Sequence, residues 1–458
     1  MRGMTTSEVA AACRGEVVSG DRGAVVSRAT TDSRSARAGD CFFALRGEHF
    51  DGHDFVGAAV AAGAAAVVAQ RAIPGTCGAA VIRVADTLAA LQSLAARYRE
   101  TLAIPVVAIG GSNGKTSTKE LASAALASGF RVAKTRGNLN NHIGAPLTLL
   151  EIGDEHGAAV IEVGTNHPGE IAALAAIVAP TVAVVTNIGP EHLEFLGDEA
   201  GVAQEEGSLL EALGEGHAAV LNADDEWCGE LRSRARCRVI TAGFSGSADV
   251  RIETLASGES GQRLRASAGG ESVEFDIPLH GRHMAQNAAL GLAAGAALGL
   301  RLDAMAGTIS GVTLPGGRMR CAARDGIRLI DDSYNANPGS MRAALKHLAS
   351  LGGRRIAVLG TMGEMGAGAG EWHREIGAEA RRLGIDRLVA VGPFAEDYRA
   401  GAGGIADVFG DVAGAVAFLG GEVRAGDAVL VKASRAAKFE QIAGALGFGA
   451  RGGEGAKC

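Results

Sequence analysis

The stretch that most constrains this chain is residues 105–117, Pro-Val-Val-Ala-Ile-Gly-Gly-Ser-Asn-Gly-Lys-Thr-Ser. Its apolar half reads as a buried strand that runs into a glycine turn. Beyond the turn, Leu121, Ala122, Ala125 and Leu126 fall on one helical face, and Gly129 suits a helix stop. Strand, glycine loop and helix with Lys-Thr at its start form a phosphate cradle. Backbone N–H groups and the positive helix end meet the anion, Lys115 adds charge, and the Thr116 hydroxyl serves Mg²⁺. The spacing is shorter than the common GxxxxGK[ST] loop, because Ile109 stands five residues before Gly114. The loop is therefore Gly111, Ser112, Asn113, Gly114, Lys115, Thr116 and Ser117. The plain alternative is a helix-capping turn with a solvated lysine.

At 458 residues the chain has room for about three domains. Its 47% hydrophobic content, 68 glycines and 4% aromatic content suit α/β layers of small residues joined by tight turns. The net charge of −7 excludes broad nucleic-acid or anionic-membrane binding, so an anionic ligand needs a local basic pocket. No apolar run reaches the ~18 residues of a membrane span, so no membrane insertion is expected. The first residues lack a signal-peptide core. Seven cysteines without a CxxC pair suggest neither a disulfide framework nor a zinc site. The expectation is a soluble, cytoplasmic chain.

Residues 1–102 read as a small α/β unit of their own. In it Asp32, Ser33 and Arg34 are either turn and cap chemistry or an anion or ribose contact. Residues 42–45 suit a buried strand, and residues 87–101 an amphipathic helix. Residues 103–314 read as a nucleotide-binding domain. The run 136–144, with Asn138, Asn140 and Asn141, is a loop or a set of amides reading a neutral polar ligand such as a sugar. Residues 158–164 suit a strand buried on both faces, with Glu162 at its carboxyl end. An acid is costly there without a cation. In a doubly wound sheet that end lies beside the phosphate loop, which favours Mg²⁺ ligation over an incidental ion pair. The strand-like run 182–192 ends in a turn that aims His192 at the same crevice, although a lone histidine is more often structural. Residues 250–278 are β-rich, and a long helix opens near His283, where Asn287 is either helix surface or a nucleotide contact. Residues 315–458 read as a third α/β domain. Strand-like runs at 327–331, 355–359, 387–391 and 427–431 alternate with helical patterns, as in a parallel sheet. The glycine- and methionine-rich run 360–370 reads as a mobile loop, and the tail near 451–455 as disordered.

Together these motifs resemble the Mur ligase family. The matching residues are 111–117, 137–141, Glu162 to His167, 281–283, Asp331-Asp332-Ser333-Tyr334-Asn335-Ala336-Asn337-Pro338 and Lys432-Ala433-Ser434-Arg435. The Asp-Asp-Ser-Tyr-Asn-Ala-Asn run is similar to the member that adds a dipeptide. The Asp-Asn-Pro-Arg signature of the diaminopimelate- or lysine-adding relative is not found. The resemblance implies an α/β chain of three domains: an N-terminal UDP-substrate domain, a central P-loop parallel sheet binding ATP, and a Rossmann-like C-terminal domain that closes on ATP and binds the dipeptide. It implies an ATP- and Mg²⁺-dependent amide ligase of peptidoglycan synthesis, monomeric, which joins D-alanyl-D-alanine to UDP-N-acetylmuramoyl-tripeptide through an acyl phosphate.

The resemblance also implies residue roles. Lys115 would cradle the β- and γ-phosphates, and Thr116 and Glu162 would hold the first Mg²⁺. His192 would hold the second. Asn287 would sit by the adenine, Asp332 by the ribose and Arg318 by the γ-phosphate, with Lys115, His192 and Arg318 as the catalytic set. Asn138, Asn141, Thr165 and His167 would line the muramoyl-peptide side, and Ser33, Arg34 and Leu45 the UDP. Asn335, Lys432, Ser434 and Arg435 fall among the dipeptide or closed-domain contacts. One position departs from the family. Many members carry a CO₂-carboxylated lysine on the helix after the His192 turn, whose carbamate binds the second Mg²⁺; Glu206 stands there instead. Glu206 either serves that ion or is an ordinary solvated glutamate. Rival readings are a related amide ligase for another amino acid or for folate, and a nucleotide switch or transport ATPase that makes no product.

Overall fold

Runs of Ala and Val that are apolar on successive residues make strands covered on both faces, and the main sheets are built from them. The structure, a computed structural model, describes residues 1–73, 78–258 and 260–447. Its first large sheet has five strands in the order Glu16–Ser19, Ala80–Arg83, Ala66–Ala69, Asp40–Phe43 and Arg28–Thr30. All neighbours are parallel except the Glu16–Ser19 edge. The strand expected at 42–45 lies at Asp40–Phe43, and Leu45 has already left it in a tight turn, its N–H 2.9 Å from the Phe43 carbonyl.

The first segment has one core of its own, around Phe42, Val56 and Val67, and shares another with the central segment. The helix Thr87–Glu100, capped by Asp86, buries Leu91, Leu94 and Tyr98 in a core that runs continuously from Val9 to Leu231. The Tyr98 hydroxyl donates to the Ile152 carbonyl at 2.5 Å, and Arg99 donates to the carbonyls of Val178 and Ala179 at 3.0 Å each. A two-sided helix at the expected joint therefore joins the first two segments through this shared core.

The central sheet has nine strands, in the order Glu271–Ile277, Gly261–Ala268, Val250–Gly258, Arg238–Gly243, Ala218–Asn222, Val182–Val185, Val106–Gly110, Ala158–Glu162 and Val132–Lys134. Six of these form a parallel array, and Val250–Gly258 joins it in parallel to start an antiparallel meander, the β-rich segment read from sequence. Helices Lys115–Leu126 and Arg282–Ala297 share a core on one face. The third sheet has the order Arg320–Arg324, Ile327–Asp331, Ala428–Lys432, Arg355–Leu359, Arg387–Val391 and Ala406–Phe409. Three of its strands match the sequence runs and the fourth starts one residue later, while the antiparallel edge Arg320–Arg324 was not foreseen. Its half-exposed residues carry little apolar signal.

The run 360–370 is pinned in the structure. Met362 and Met365 are buried in the third core, and the Met362 N–H donates to His373 Nε2 at 2.9 Å. The tail at 451–455 lies outside the described residues. Among the described residues no helix is long and apolar enough to cross a membrane.

Candidate active site

Three neighbouring parallel strands deliver their carboxyl ends to one crevice. Ile109 is in register with Glu162 on one side and Val184 on the other, so the glycine loop, Glu162 and the segment after Val185 emerge together. The loop is held on both flanks. Ser112 N–H donates to the Asn187 carbonyl at 2.8 Å, Asn187 Nδ2 returns to the Asn113 carbonyl at 2.8 Å, and Gly189 N–H reaches Ser112 Oγ at 3.0 Å. Two glycines are required. Gly111 has φ +111, and a Cβ there would stand 2.3 Å from Thr186 Oγ1; Gly114 has φ +80, and a Cβ there would stand 2.7 Å from Asn287 Oδ1. Asn287, buried at the start of the helix Arg282–Ala297, is thereby set against the loop. The helix Lys115–Leu126 has no side-chain N-cap, which leaves its first N–H groups for an anion.

Lys115 Nζ folds back to the Gly111 carbonyl at 2.5 Å and lies 3.5 Å from Glu191 Oε2. Burial pulls its pKa down, but the carboxylates of Glu191, Glu206 and Glu162 outweigh this and raise it, so it stays an ammonium. Thr116 Oγ1 donates to Glu162 at 2.9 Å, and Asn140 Nδ2 donates to the same carboxylate at 2.8 Å. The cation that Glu162 needs is present in the chain. Lys119, fully buried one turn after Lys115, stands 3.6 Å away, so the ion pair weighed against metal ligation exists.

Glu206 is not a solvated glutamate. It is fully buried, and its Oε2 accepts from Gly111 N–H at 2.7 Å while its Oε1 has no partner. Burial first, then the neighbouring Glu191, push its pKa to about 7 against the pull of Lys115. Its neighbour Glu205 is buried too, and its carboxylate accepts from Gly169 and Ile171 N–H at the start of the helix Glu170–Val178. Glu191 also keeps a buried oxygen without a partner. His192 has φ +50; its Nδ1 meets the Glu364 carboxylate, and its Nε2 lies 3.8 Å from Glu191 Oε2.

The crevice thus holds the carboxylates of Glu162, Glu191 and Glu206 against the ammonium groups of Lys115 and Lys119, with Glu120 shared between Lys119 and Lys134. A polyphosphate could not enter so acidic a place alone. Divalent cations fit it: two carboxylate oxygens are buried and unpaired, and a hydroxyl stands beside Glu162. Among the described residues no three His, Cys, Asp or Glu side chains form a complete protein cage. Mg²⁺ is commonly held by one or two carboxylates plus phosphate oxygens and waters.

The third segment faces the same crevice. A Cβ on Gly339, in the first turn of the helix Pro338–Ala349, would be 3.1 Å from Asn113 Nδ2 of the loop. Asp332 and Lys432, read as contacts for different ligands, are partners of each other, and Lys432 also donates to the Asn335 carbonyl at 2.8 Å. Arg318 stacks on the Tyr334 ring at 4.1 Å, with Arg435 at 5.7 Å from the same ring. Ser434 N–H donates to the Thr361 carbonyl at 2.9 Å.

Several residues lie outside this cluster. Ser33 and Arg34 form a short 3-10 turn capped by Asp32, and exposed Arg34 is ion-paired with Asp32 at 2.8 Å, the cap chemistry weighed from sequence. Asn141 Oδ1 accepts from Gly144 N–H at 2.9 Å at the start of the helix Gly144–Leu150, while Asn138 is exposed. Thr165 donates to the His167 carbonyl at 2.8 Å, and the His167 ring packs on Phe195 at 4.2 Å. Sequence reasoning missed Glu191, Lys119 and Glu364, and it gave Asn140 only as one amide of its loop, without the bond to Glu162. Lys119 could have been found, because it follows Lys115 by four residues on a helix. Glu364 gave no such signal, being 172 residues from its partner.

Comparison with known proteins agrees with this geometry. Family models match in order: the Mur ligase family catalytic domain at residues 25–99, the Mur ligase middle domain at 109–295, and the Mur ligase glutamate ligase domain at 317–435. The chain is 35% identical over 453 residues to the UDP-N-acetylmuramoyl-tripeptide--D-alanyl-D-alanine ligase of Escherichia coli (strain K12), covering 97% of this chain and 99% of that one. It is 38% identical to the ligase of the same name from Synechocystis, covering 89% of each chain. A crystal structure of MurF from Acinetobacter baumannii superposes with a TM-score of 0.91 at 33% identity, covering 97% of this chain and 99% of that one. MurF ligase from Thermotoga maritima in complex with ADP gives 0.82 at 28% identity, covering 92% and 96%. Matched by three Mur ligase family models in order and 35% identical over 97% of its length to a Mur ligase relative, the chain belongs to the Mur ligase family.

Proposed function

We propose that this chain is an ATP-dependent, ADP-forming ligase that joins D-alanyl-D-alanine to UDP-N-acetylmuramoyl-tripeptide, giving the pentapeptide precursor of peptidoglycan. The observation that carries the reading is the convergence of the phosphate loop, the Thr116–Glu162 pair and the unpaired oxygens of Glu191 and Glu206. The tripeptide's terminal carboxylate oxygen attacks the γ-phosphorus of ATP, and ADP leaves. The dipeptide amine, having lost its proton, attacks the acyl carbon, and inorganic phosphate leaves as the amide forms. A free carboxylate is a poor electrophile; phosphorylation supplies both the electrophile and the leaving group. The protein's work is alignment and charge neutralisation.

In this reading Lys115 and the loop N–H groups neutralise and orient the β- and γ-phosphates. Thr116 and Glu162 would hold one Mg²⁺, and His192 with Glu206 the other; the metals supply positive charge at the transferring phosphoryl group. Asn287 and Asp332 orient the nucleoside, and Arg318 meets the γ-phosphate once it leaves the Tyr334 ring. Asn138, Asn141, Thr165 and His167 serve the muramoyl peptide, Ser33, Arg34 and Leu45 the UDP, and Asn335, Lys432, Ser434 and Arg435 the dipeptide or domain closure. The boundaries that go with these roles are 1–102, 103–314 and 315–458, in a cytoplasmic monomer. Mass spectrometry of reactions with ATP, Mg²⁺, either the diaminopimelate or the lysine UDP-tripeptide, and D-alanyl-D-alanine tests it. The expected product is the UDP-pentapeptide with one ADP and one phosphate per amide formed. Equal phosphate release with single amino acids, or without the UDP-peptide, overturns it.

A further inference from the structure

His192 and Glu364 belong to different sheets' connections, yet they meet at two levels. The His192 ring contacts the Glu364 carboxylate through Nδ1, and Glu194 N–H donates to the Glu364 backbone carbonyl at 3.2 Å. Both partners are non-glycine residues in the left-handed region, with φ +50 and +58. Such conformations cost of order 1–3 kcal/mol each and persist where surrounding structure enforces them. The surroundings do so here. His192 opens the short helix Leu193–Leu196, whose N–H groups at Phe195 and Leu196 bond back to its carbonyl. On the other side Met362 and Met365 root the Glu364 turn in the third core, against which Leu193 also packs.

Towards an ionised carboxylate His192 Nδ1 can only act as the donor, which favours the Nδ1–H tautomer. In a neutral imidazole that leaves the Nε2 lone pair on the opposite side. Nε2 lies 3.8 Å from Glu191 Oε2, the same oxygen that stands 3.5 Å from Lys115 Nζ. A carboxylate behind one ring nitrogen is a common way to fix the tautomer and aim of the other.

We infer that Glu364 is a positioning residue of the reaction: it holds His192 with its Nε2 turned towards Glu191, the partner of Lys115, so the centre is complete only while the third domain is docked on the central one. The inference rests on the reading of His192 given above.

The test uses the full-length protein in metal-free buffer, labelled with ¹⁵N at histidine, with the His192 signal assigned by loss in H192Q. In the native chain the long-range ¹H–¹⁵N spectrum is expected to show His192 protonated at Nδ1. E364A is expected to shift it to a mixture of tautomers, and E364Q, whose amide oxygen still accepts, to restore Nδ1–H. In parallel, E364A should lower kcat about 10- to 100-fold and raise the Mg²⁺ needed for half-maximal rate. The KM for ATP should stay near its native value, and E364Q should recover most of the loss. An unchanged His192 tautomer in E364A, or an unchanged kcat and Mg²⁺ dependence, overturns the inference. H192A separates this from the site reading: full activity in H192A sinks the role of His192, whereas inactive H192A beside fully active E364A sinks only the positioning role of Glu364.

Discussion

A carboxylate buried beside a second carboxylate and a lysine can lower its cost by keeping a proton or by taking a cation. Glu206 is in that position, with a pKa near 7 and one oxygen without a partner. The main cause is lost hydration, so the group is ready to exchange its proton for a metal ion when one enters. Its reach is shorter than that of a carboxylated lysine, but Gly111 N–H already fixes one of its oxygens at the base of the loop. Activity is therefore expected to be the same in CO₂-depleted buffer and with added bicarbonate, and E206Q to lower kcat by about tenfold or more. A coupled phosphate-release assay checks both; activity lost on CO₂ removal and restored by bicarbonate would contradict this role.

At the scale of elements, the turn that leads into the helix Arg282–Ala297 meets the helix Pro338–Ala349 through histidines. The His280 and His347 rings stack at 5.5 Å, and His347 Nε2 is buried without a partner. Burial, then Lys432, lowers the pKa of His283 to about 4. Burial, then His280 and His283, lowers that of His347 to about 4. In the unfolded chain a histidine protonates near pH 6.5. Between about pH 6.5 and 4 the unfolded state thus binds more protons, so stability is intact above this window and falls as pH drops through it. Glu206 acts in the opposite sense, because its proton is held more tightly in the folded state. The diagnostic quantity is therefore the difference between native protein and H347Q. Thermal midpoints measured from pH 7.5 to 5 should fall less steeply in the variant, and parallel slopes would contradict the assignment.

For the whole molecule, what matters is where the cores are continuous. The first core passes from Val9 through the helix Thr87–Glu100 to Leu231, whereas the third sheet is covered on both faces by its own residues. Cutting after residue 102 would strip from the helix Thr87–Glu100 the cover it receives from the helices Gly144–Leu150 and Glu170–Val178 and remove the Ile152 carbonyl that accepts from Tyr98. It would also strand the Arg99 guanidinium that now serves the carbonyls of Val178 and Ala179. A fragment of residues 316–447 is expected to unfold cooperatively in urea and a fragment of residues 1–102 to show no cooperative transition, both followed by circular dichroism. A cooperative transition in the shorter fragment would contradict the shared core.

What was legible in the sequence was local. The phosphate loop could be read because its strand, glycines and Lys-Thr are contiguous, and three strands of the third sheet because apolar periodicity survives in a short window. Glu162 could be placed at the crevice because a parallel sheet brings its strand ends together whatever the connections. Pairings across long chain separations were decided by the tertiary structure alone. Lys119 against Glu162, Lys432 against Asp332 and Glu364 against His192 depend on which helix faces and loop turns meet. So does the burial of Glu206, a residue that follows Glu205 in sequence and is distinguished only by what packs over it. By itself the sequence determined the elements and the chemistry each carries. The close approach of elements decided which charges are paired, which oxygens stay open for a metal and which domain holds His192, because burial and electrostatic pairing depend on distances that no local pattern encodes.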